Sequence, residues 1–458
     1  MRSFALQAPW RSGVLLMLTV AVAPIHPVAA QDSHYWTYQF GDRATLLGGM
    51  VVGGVVDLSA VYYNPGALSL LEDPGLFAAT KTFEMSRIGI TAVPRELLDL
   101  GEDRLGVAPS FFAGLVPFRF LGNQKLGYSL FTRQKFRARI NGSQVGQEDL
   151  LPLQPGTEDF LASVRLDSEL SESWGGLTWS LPLGRSVGVG ISQFLAGRSQ
   201  RAWTRSLAEV FDTSGVAVAA LQEDAYEYFS YRMLWKIGLS VEWLGASLGL
   251  TVTTPSVRLF GSGKSETNAT AINTTADPGD YVFIADYQDN LAATYRSPLS
   301  VAAGAAYRIA GTRLYATAEW FQGEEEFAIM DLAPFVGQST GDTVVPQVTQ
   351  EMRSVLNFGF GVEHRLGPTT TGYASFRTDL SAATPGAETD VSVSSWDIHF
   401  FTLGGSFRLA DSDFTLGAGY GFGQQSIPQD PPDEGEGVLP SSLDVKYRNY
   451  RLFFAFGF

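Results

Sequence analysis

The 458-residue chain contains no cysteine, which excludes a disulfide framework and any thiolate metal site. Histidine is scarce too. Beyond the first 30 residues only His34, His364 and His399 remain. None stands beside a nucleophile signature, so no catalytic residue, metal site or cofactor is expected and an enzyme is not the reading. Cations are few, with 32 Lys and Arg against 47 Asp and Glu and a net charge of −15. A nucleic-acid partner, which needs a basic surface, is therefore excluded. Long apolar runs are also missing. Gly13–Ala23 and Leu46–Val56 both fall short of the ~20 residues that a spanning helix requires. The glycine cluster from Gly48 to Gly54 lacks a following Lys-Ser/Thr, so it is no phosphate loop.

What is present is apolar and aromatic: 45% hydrophobic and 12% aromatic residues, a load that without helical periods favours membrane strands. The two ends of the chain agree. Arg2 and Arg11, the apolar stretch Gly13–Ala23 and the small residues Val28-Ala29-Ala30 read as a secretory signal over 1–30, with a cut before Gln31. At the other end Tyr450, Leu452, Phe454, Phe456 and Phe458 share one face of a last strand, while Arg451, Phe453, Ala455 and Gly457 share the other. This tail resembles the C-terminal strands ending in Phe that the barrel-assembly machinery recognises, which makes Phe458 the candidate assembly signal.

Between the ends, period-two patterns recur. In Ala225–Trp243 the residues Phe229, Tyr231, Met233, Trp235, Ile237 and Leu239 oppose Ser230, Arg232, Lys236 and Ser240. A charge is tolerable on a lumen face and costs about 2–4 kcal/mol at mid-depth on a lipid face, so the second set is assigned inward. The segments near Lys125–Arg139, Ala293–Ile309 and Glu351–Leu366 repeat the pattern. Six short connectors alternate with seven long polar ones, among them Thr91–Val107, Ile140–Arg165, Ala202–Asp224 and Gly261–Ala292. Thirteen connectors make about fourteen strands. The expected fold class is all-β: a transmembrane antiparallel β-barrel over 75–458, in a Gram-negative-type outer membrane, with outer-membrane lipids and lipopolysaccharide as partners. Acidic clusters in the long connectors suggest solvated loops, or divalent-cation bridges to the lipopolysaccharide.

Residues 31–74 precede the first strand and are too apolar for a linker; they read as a compact plug in the lumen. Gly41–Leu68, with Tyr63-Asn64-Pro65-Gly66-Ala67-Leu68, resembles the N-terminal hatch of the FadL family, outer-membrane transporters of long-chain fatty acids and other hydrophobic compounds. The family's aromatic-Asn-Pro-Ala-Gly-Leu appears here with Gly66-Ala67 inverted. The resemblance implies a fourteen-strand barrel, passive uptake of a hydrophobic small molecule, and lateral exit beside a kinked strand. A related signature occurs in PorV-like barrels of type IX secretion, which makes a protein-secretion barrel an alternative, with a structural barrel or general porin as another.

Candidate site residues follow. Asn64, Pro65 and Gly66 form the hatch motif. By face parity, Arg133, Arg137, Arg232 and Lys236 point inward. They are assigned either to an internal charge ladder with Glu242, Glu319 and Glu363 or to a substrate carboxylate. Phe131, Phe321 and Phe453 share the lumen parity and are candidates to line an apolar pocket.

Overall fold

The computed structural model describes residues 33–55, 57–71, 77–78, 81–93, 99–108, 111–116, 122–148, 150–151, 156–212, 215–273, 281–384, 395–409, 412–428 and 442–457. The leader 1–30 and the terminal Phe458 lie outside the described residues.

Helix α1 (Asp42–Leu46), helix α2 (Ala60–Tyr63) and a 3-10 helix (Pro65–Leu70) come first. Strands follow: β1 (Phe77–Ala78), β2 (Lys81–Val93), β3 (Asp99–Ala108), β4 (Phe111–Leu115), β5 (Lys125–Glu148), β6 (Glu158–Pro182), β7 (Val187–Asp212) and β8 (Gly215–Trp243). Next are β9 (Ala246–Thr253), β10 (Val257–Asn273), β11 (Tyr281–Ala292), β12 (Ser300–Ile309), β13 (Thr312–Phe321) and β14 (Glu324–Met330). The last are β15 (Phe335–Val336), β16 (Thr343–Val344), β17 (Val348–Met352), β18 (Val355–Arg365), β19 (Thr370–Asp379), β20 (Ile398–Leu409), β21 (Ser412–Pro428) and β22 (Ser442–Gly457).

Eighteen of these strands form one antiparallel sheet. Several share a pass through the wall: β1 with β2, β3 with β4, β9 with β10, β11 with β12, β14 with β13, and β17 with β18. Counted by passes, the chain traverses the wall fourteen times. β22 meets β2 along the register Lys81↔Phe454 to Val93↔Ser442. This is an all-β fold of the transmembrane-barrel type, with the N-terminal segment packed inside it as a plug.

The ladder does not close completely. β4 pairs with β5 only from Phe111↔Phe131 to Leu115↔Gly127. Beyond that, among the described residues, β5 pairs only with β6, while β3 pairs only with β2. β3 and β5 lie close together without a ladder between them.

Sidedness follows the alternation. On β8, Phe229, Ile237 and Leu239 are exposed while Ser230, Arg232, Leu234 and Lys236 are buried. On β22, Tyr450, Leu452 and Phe454 are exposed, and Arg451 and Phe453 are buried. Large apolar side chains thus cover the outside, which in water would be an aggregating surface.

Two expectations change. Much of the long connectors is strand: β5 runs to Glu148, β7 to Asp212 and β10 to Asn273. A strand standing clear of an apolar environment is polar on both faces, so composition alone reads it as loop. Second, a register shift in β5 between Thr132 and Gln134 places Arg133 and Gln134 both on the buried side. Above this bulge the facing reverses. Gln134, Ala138 and Ile140 are buried, whereas Lys135 and Arg139 are exposed. Arg137 shares the parity of Lys135 and Arg139 and sits on the outer wall, not in the lumen.

Candidate functional site

The segment 33–71 carries little regular structure, yet almost all of it is buried. Its backbone polar groups need partners, and wall side chains supply them. Ser192 Oγ donates to Val61 O at 2.8 Å, and Ser375 Oγ to Leu46 O at 3.0 Å. Gln134 Nε2 donates to His34 O at 2.5 Å, Arg377 Nη1 to Trp36 O at 2.5 Å and Arg451 Nη1 to Thr37 O at 2.7 Å. In return Trp36 Nε1 donates to Glu319 Oε2 at 2.7 Å, and Arg43 pairs with Glu363.

Asn64 is fully buried and makes three bonds. Its Nδ2 donates to Val52 O at 2.9 Å and to Leu239 O of β8 at 3.0 Å. Its Oδ1 accepts from Gly66 N at 3.1 Å, capping the 3-10 helix that Pro65 begins. Glycines let the two backbones approach. A Cβ at Gly238 would meet Asn64 Oδ1 and the Pro65 ring, one at Gly249 would meet Val52 O and, at 2.7 Å, Asn64 Nδ2, and one at Gly66 would meet Gly188 O. The hatch motif is therefore the place where segment 33–71 is pressed against β7, β8 and β9.

Around α2 lies an aromatic box. Phe131 packs 4.7 Å from Phe40, 5.2 Å from Tyr62 and 5.7 Å from Phe194, ring centre to ring centre, with Trp174 at 5.9 Å. Phe321 stacks on Tyr35 at 4.2 Å. Phe453 is buried in the same apolar cluster.

Two cations stand over one ring of this box. Arg133 lies 6.0 Å and Lys236 4.6 Å from the centre of Tyr62. Burial pushes the Tyr62 hydroxyl up to about 12, so it stays neutral and its ring is a good cation partner. Arg133 and Lys236 are 7% and 5% exposed. Neither makes a hydrogen bond or ion pair among the described residues. Lys236 borders a cavity of ≈ 20 Å³, shared with Trp36, Gln39, Met50, Tyr62 and Glu319. That is room for about a water molecule or two, so anything larger entering here has to displace hatch side chains.

Arg232 is placed differently. It pairs with Glu172 at 2.7 Å, beside Arg198 on the same carboxylate at 2.9 Å. Tyr295 is held between these guanidiniums, 4.5 Å from Arg232 and 3.9 Å from Arg198. The internal charge ladder thus centres on Glu172, a residue the sequence reading missed. Ser171-Glu172-Ser173-Trp174 shows apolar and charged residues on the same parity, which hides an inward carboxylate. Glu319 and Glu363 hold the hatch instead, and Glu242 is exposed. Glu172 is shared by two arginines and Glu319 is engaged by Trp36 and Ser300, so neither carboxylate bonds directly to Arg133 or Lys236.

No protein family and no curated protein matches the sequence. Among solved structures, a FadL homologue of Pseudomonas aeruginosa is similar at 12% identity and a TM-score of 0.54, covering 92% of this chain and 98% of that one. The Pseudomonas putida toluene transporter TodX is similar at 13% identity and a TM-score of 0.57, covering 91% and 98%. The monoaromatic hydrocarbon channel CymD is similar at 12% identity and a TM-score of 0.50, covering 91% and 97%. At such identities the likeness concerns architecture, and on that level the chain has a FadL-like fold.

Proposed function

We propose that the chain is an outer-membrane channel, exported by a cleaved leader, for passive uptake of hydrophobic small molecules that carry an anionic head, long-chain fatty acids foremost. In this reading 31–74 is the hatch and 75–458 the barrel. The observation that carries it is the pair Arg133 and Lys236, buried over Tyr62 in an aromatic-lined lumen with no hydrogen-bonded or ion-paired carboxylate among the described residues. A buried cation without hydrogen-bond partners is costly, and a carboxylate offers each a charge-assisted hydrogen bond. The aromatic box formed by Phe131 and its neighbours would take the start of the acyl chain once the hatch yields.

The neighbouring channels for toluene and monoaromatic hydrocarbons support a hydrophobic cargo, and the cation pair favours a headed one. A ligand enters between the outer loops, lodges at Tyr62 and displaces hatch side chains. The hatch shifts about Asn64-Pro65, breaking the bonds to Val52 and Leu239. The unpaired stretch between β3 and β5 is the exit through the wall that this reading uses. Tyr38 Oη donates to Lys135 O at 3.0 Å on that stretch, so the hatch itself covers part of it. A general porin would need a continuous water path, and the packing of 33–71 gives that reading no support.

The test is ligand binding by the detergent-purified chain. Arg133→Gln with Lys236→Gln should weaken oleate binding ~10–100-fold, the value of one or two charge-assisted bonds, and leave toluene binding unchanged. Equal loss for both ligands, or no loss for oleate, would remove the head-group assignment.

A further inference from the structure

One sector of the outer wall carries rows of exposed cations above its apolar band. On β22 the outward row Phe454, Leu452 and Tyr450 is followed by Arg448 and Lys446, both exposed. On β2, Phe83 and Met85 are followed by Arg87. On β5, Leu130 is followed, past the bulge, by Lys135, Arg137 and Arg139. On β7, Leu195 is followed by Arg201 and Arg205, and on β10 Phe260 is followed by Lys264. On each strand the cations begin where the apolar row ends. On β12, β18 and β20 the exposed Arg308, Arg365 and Arg408 lie instead at the opposite end of the wall, beside the short turns.

Part of this charge is answered within the wall. Asp167 pairs with Arg139, Glu169 with Arg201 and Glu227 with Lys264. The rest is not. Arg87 and Arg448 are direct cross-strand partners, and so are Arg165 and Arg205, all four exposed on the outer face. Like charges directly opposite are destabilising unless an anion lies between them. Asp103 is the other cross-strand neighbour of Arg87 and Glu223 that of Arg205. Glu223 accepts Trp203 Nε1 at 2.6 Å, and Arg165 lies 5.2 Å above the Trp203 ring. Lys135, Arg165, Arg205 and Arg448 make no ion pair among the described residues.

We propose that this sector, from β22 and β2 through β5 to β10, docks the phosphates of a phosphorylated glycolipid in the outer leaflet. The charges start at the edge of the apolar band, where a lipid head group lies. They also continue upward: Arg205 stands four residues beyond Arg201, ~13 Å along the strand. A head group with phosphates at more than one height spans that distance, whereas a phospholipid's single phosphate meets only the first row. The sector includes the wall beside the β3–β5 opening, so a docked glycolipid would border the proposed exit.

The proposal rests on the outer-membrane reading, and membrane fractionation tests that reading separately: a chain recovered in the inner membrane removes it whatever the lipid result. The docking test uses the full chain in detergent, with bis-phosphorylated lipid A and phosphatase-treated lipid A as probes and co-elution as readout. Wild type should retain the phosphorylated lipid at least ten-fold better, less so at high salt. Arg165→Gln with Arg205→Gln should reduce retention ~10-fold, from roughly 1 kcal/mol per cation at an anionic surface. Arg165→Lys with Arg205→Lys should keep most of it, and Arg185→Gln, in the turn at the far end, should change nothing. Heat-modifiable gel mobility reports whether each variant is folded. Equal retention of both lipids, or undiminished retention by the folded Gln variant, overturns the proposal.

Discussion

The wall and the hatch satisfy their backbones in opposite ways. In the wall, N–H and C=O groups pair along ladders that depend on no particular side chain; β6 and β7 alone pair from Asp159↔Phe211 to Pro182↔Gly188. In the hatch, carbonyls at His34, Trp36, Thr37, Leu46 and Val61 are held by particular wall side chains, Thr37 by both Arg451 and Arg377. A ladder loses little when one residue changes. A segment hung on particular side-chain bonds and on close glycine contacts can be loosened at one position while the barrel stays folded. That asymmetry suits the proposed function, in which a rigid frame surrounds a part that shifts.

The comparison can be broken from either side. The largest effect is expected in the wall: Leu452→Arg puts a charge on the lipid face and should cost ~2–4 kcal/mol, read as loss of folded barrel in a refolding titration into lipid vesicles. Next comes Gly249→Leu, whose side chain meets Val52 O and Asn64 Nδ2. Overpacking should cost ~1–3 kcal/mol and fall on the hatch, so conductance in a planar bilayer should rise while gel mobility stays that of a folded barrel. A barrel that unfolds outright, or one that stays as closed as wild type, would show that wall and hatch are not separable here.

Asn64→Ala removes the side-chain donor to Val52 O and Leu239 O and the cap of Gly66 N and should cost ~1–3 kcal/mol, seen as faster hydrogen exchange over 57–71 with unchanged exchange in β6 to β8. Uniform exchange across both would contradict the separation. The smallest effect concerns Asp57, whose carboxyl is raised above the usual range by displacement of water, against the opposing bond from Ser59 N at 2.8 Å. A raised folded value means that the proton is held more tightly in the folded chain. Stability is then full below the ordinary carboxylate range, falls as pH rises through the raised value, and levels off above it. Asp57→Asn should abolish that slope in thermal unfolding followed against pH; an unchanged slope would place the titrating group elsewhere.

Much of this was open to reading from residues alone, and the exceptions have physical causes. Phe229 to Leu239 and Tyr450 to Phe454 stand on the faces their alternation implies, because a two-residue period has only two faces to choose from. Arg137 misled for the same reason: one extra residue at the Arg133 bulge reverses every side chain above it, and no local pattern announces the shift. The upper parts of β5, β7 and β10 looked like loops because polar residues serve either state equally.

By itself, then, the sequence determined the all-β class, the count of fourteen passes and the location of the Asn64-Pro65 motif, all consequences of local periodicity and turn chemistry. Only the tertiary structure decided which charges meet. Glu172 joins Arg198 and Arg232, Arg133 and Lys236 share the Tyr62 ring, and Arg165 faces Arg205, because strand register sets those distances and register is a property of neighbours far apart in the chain.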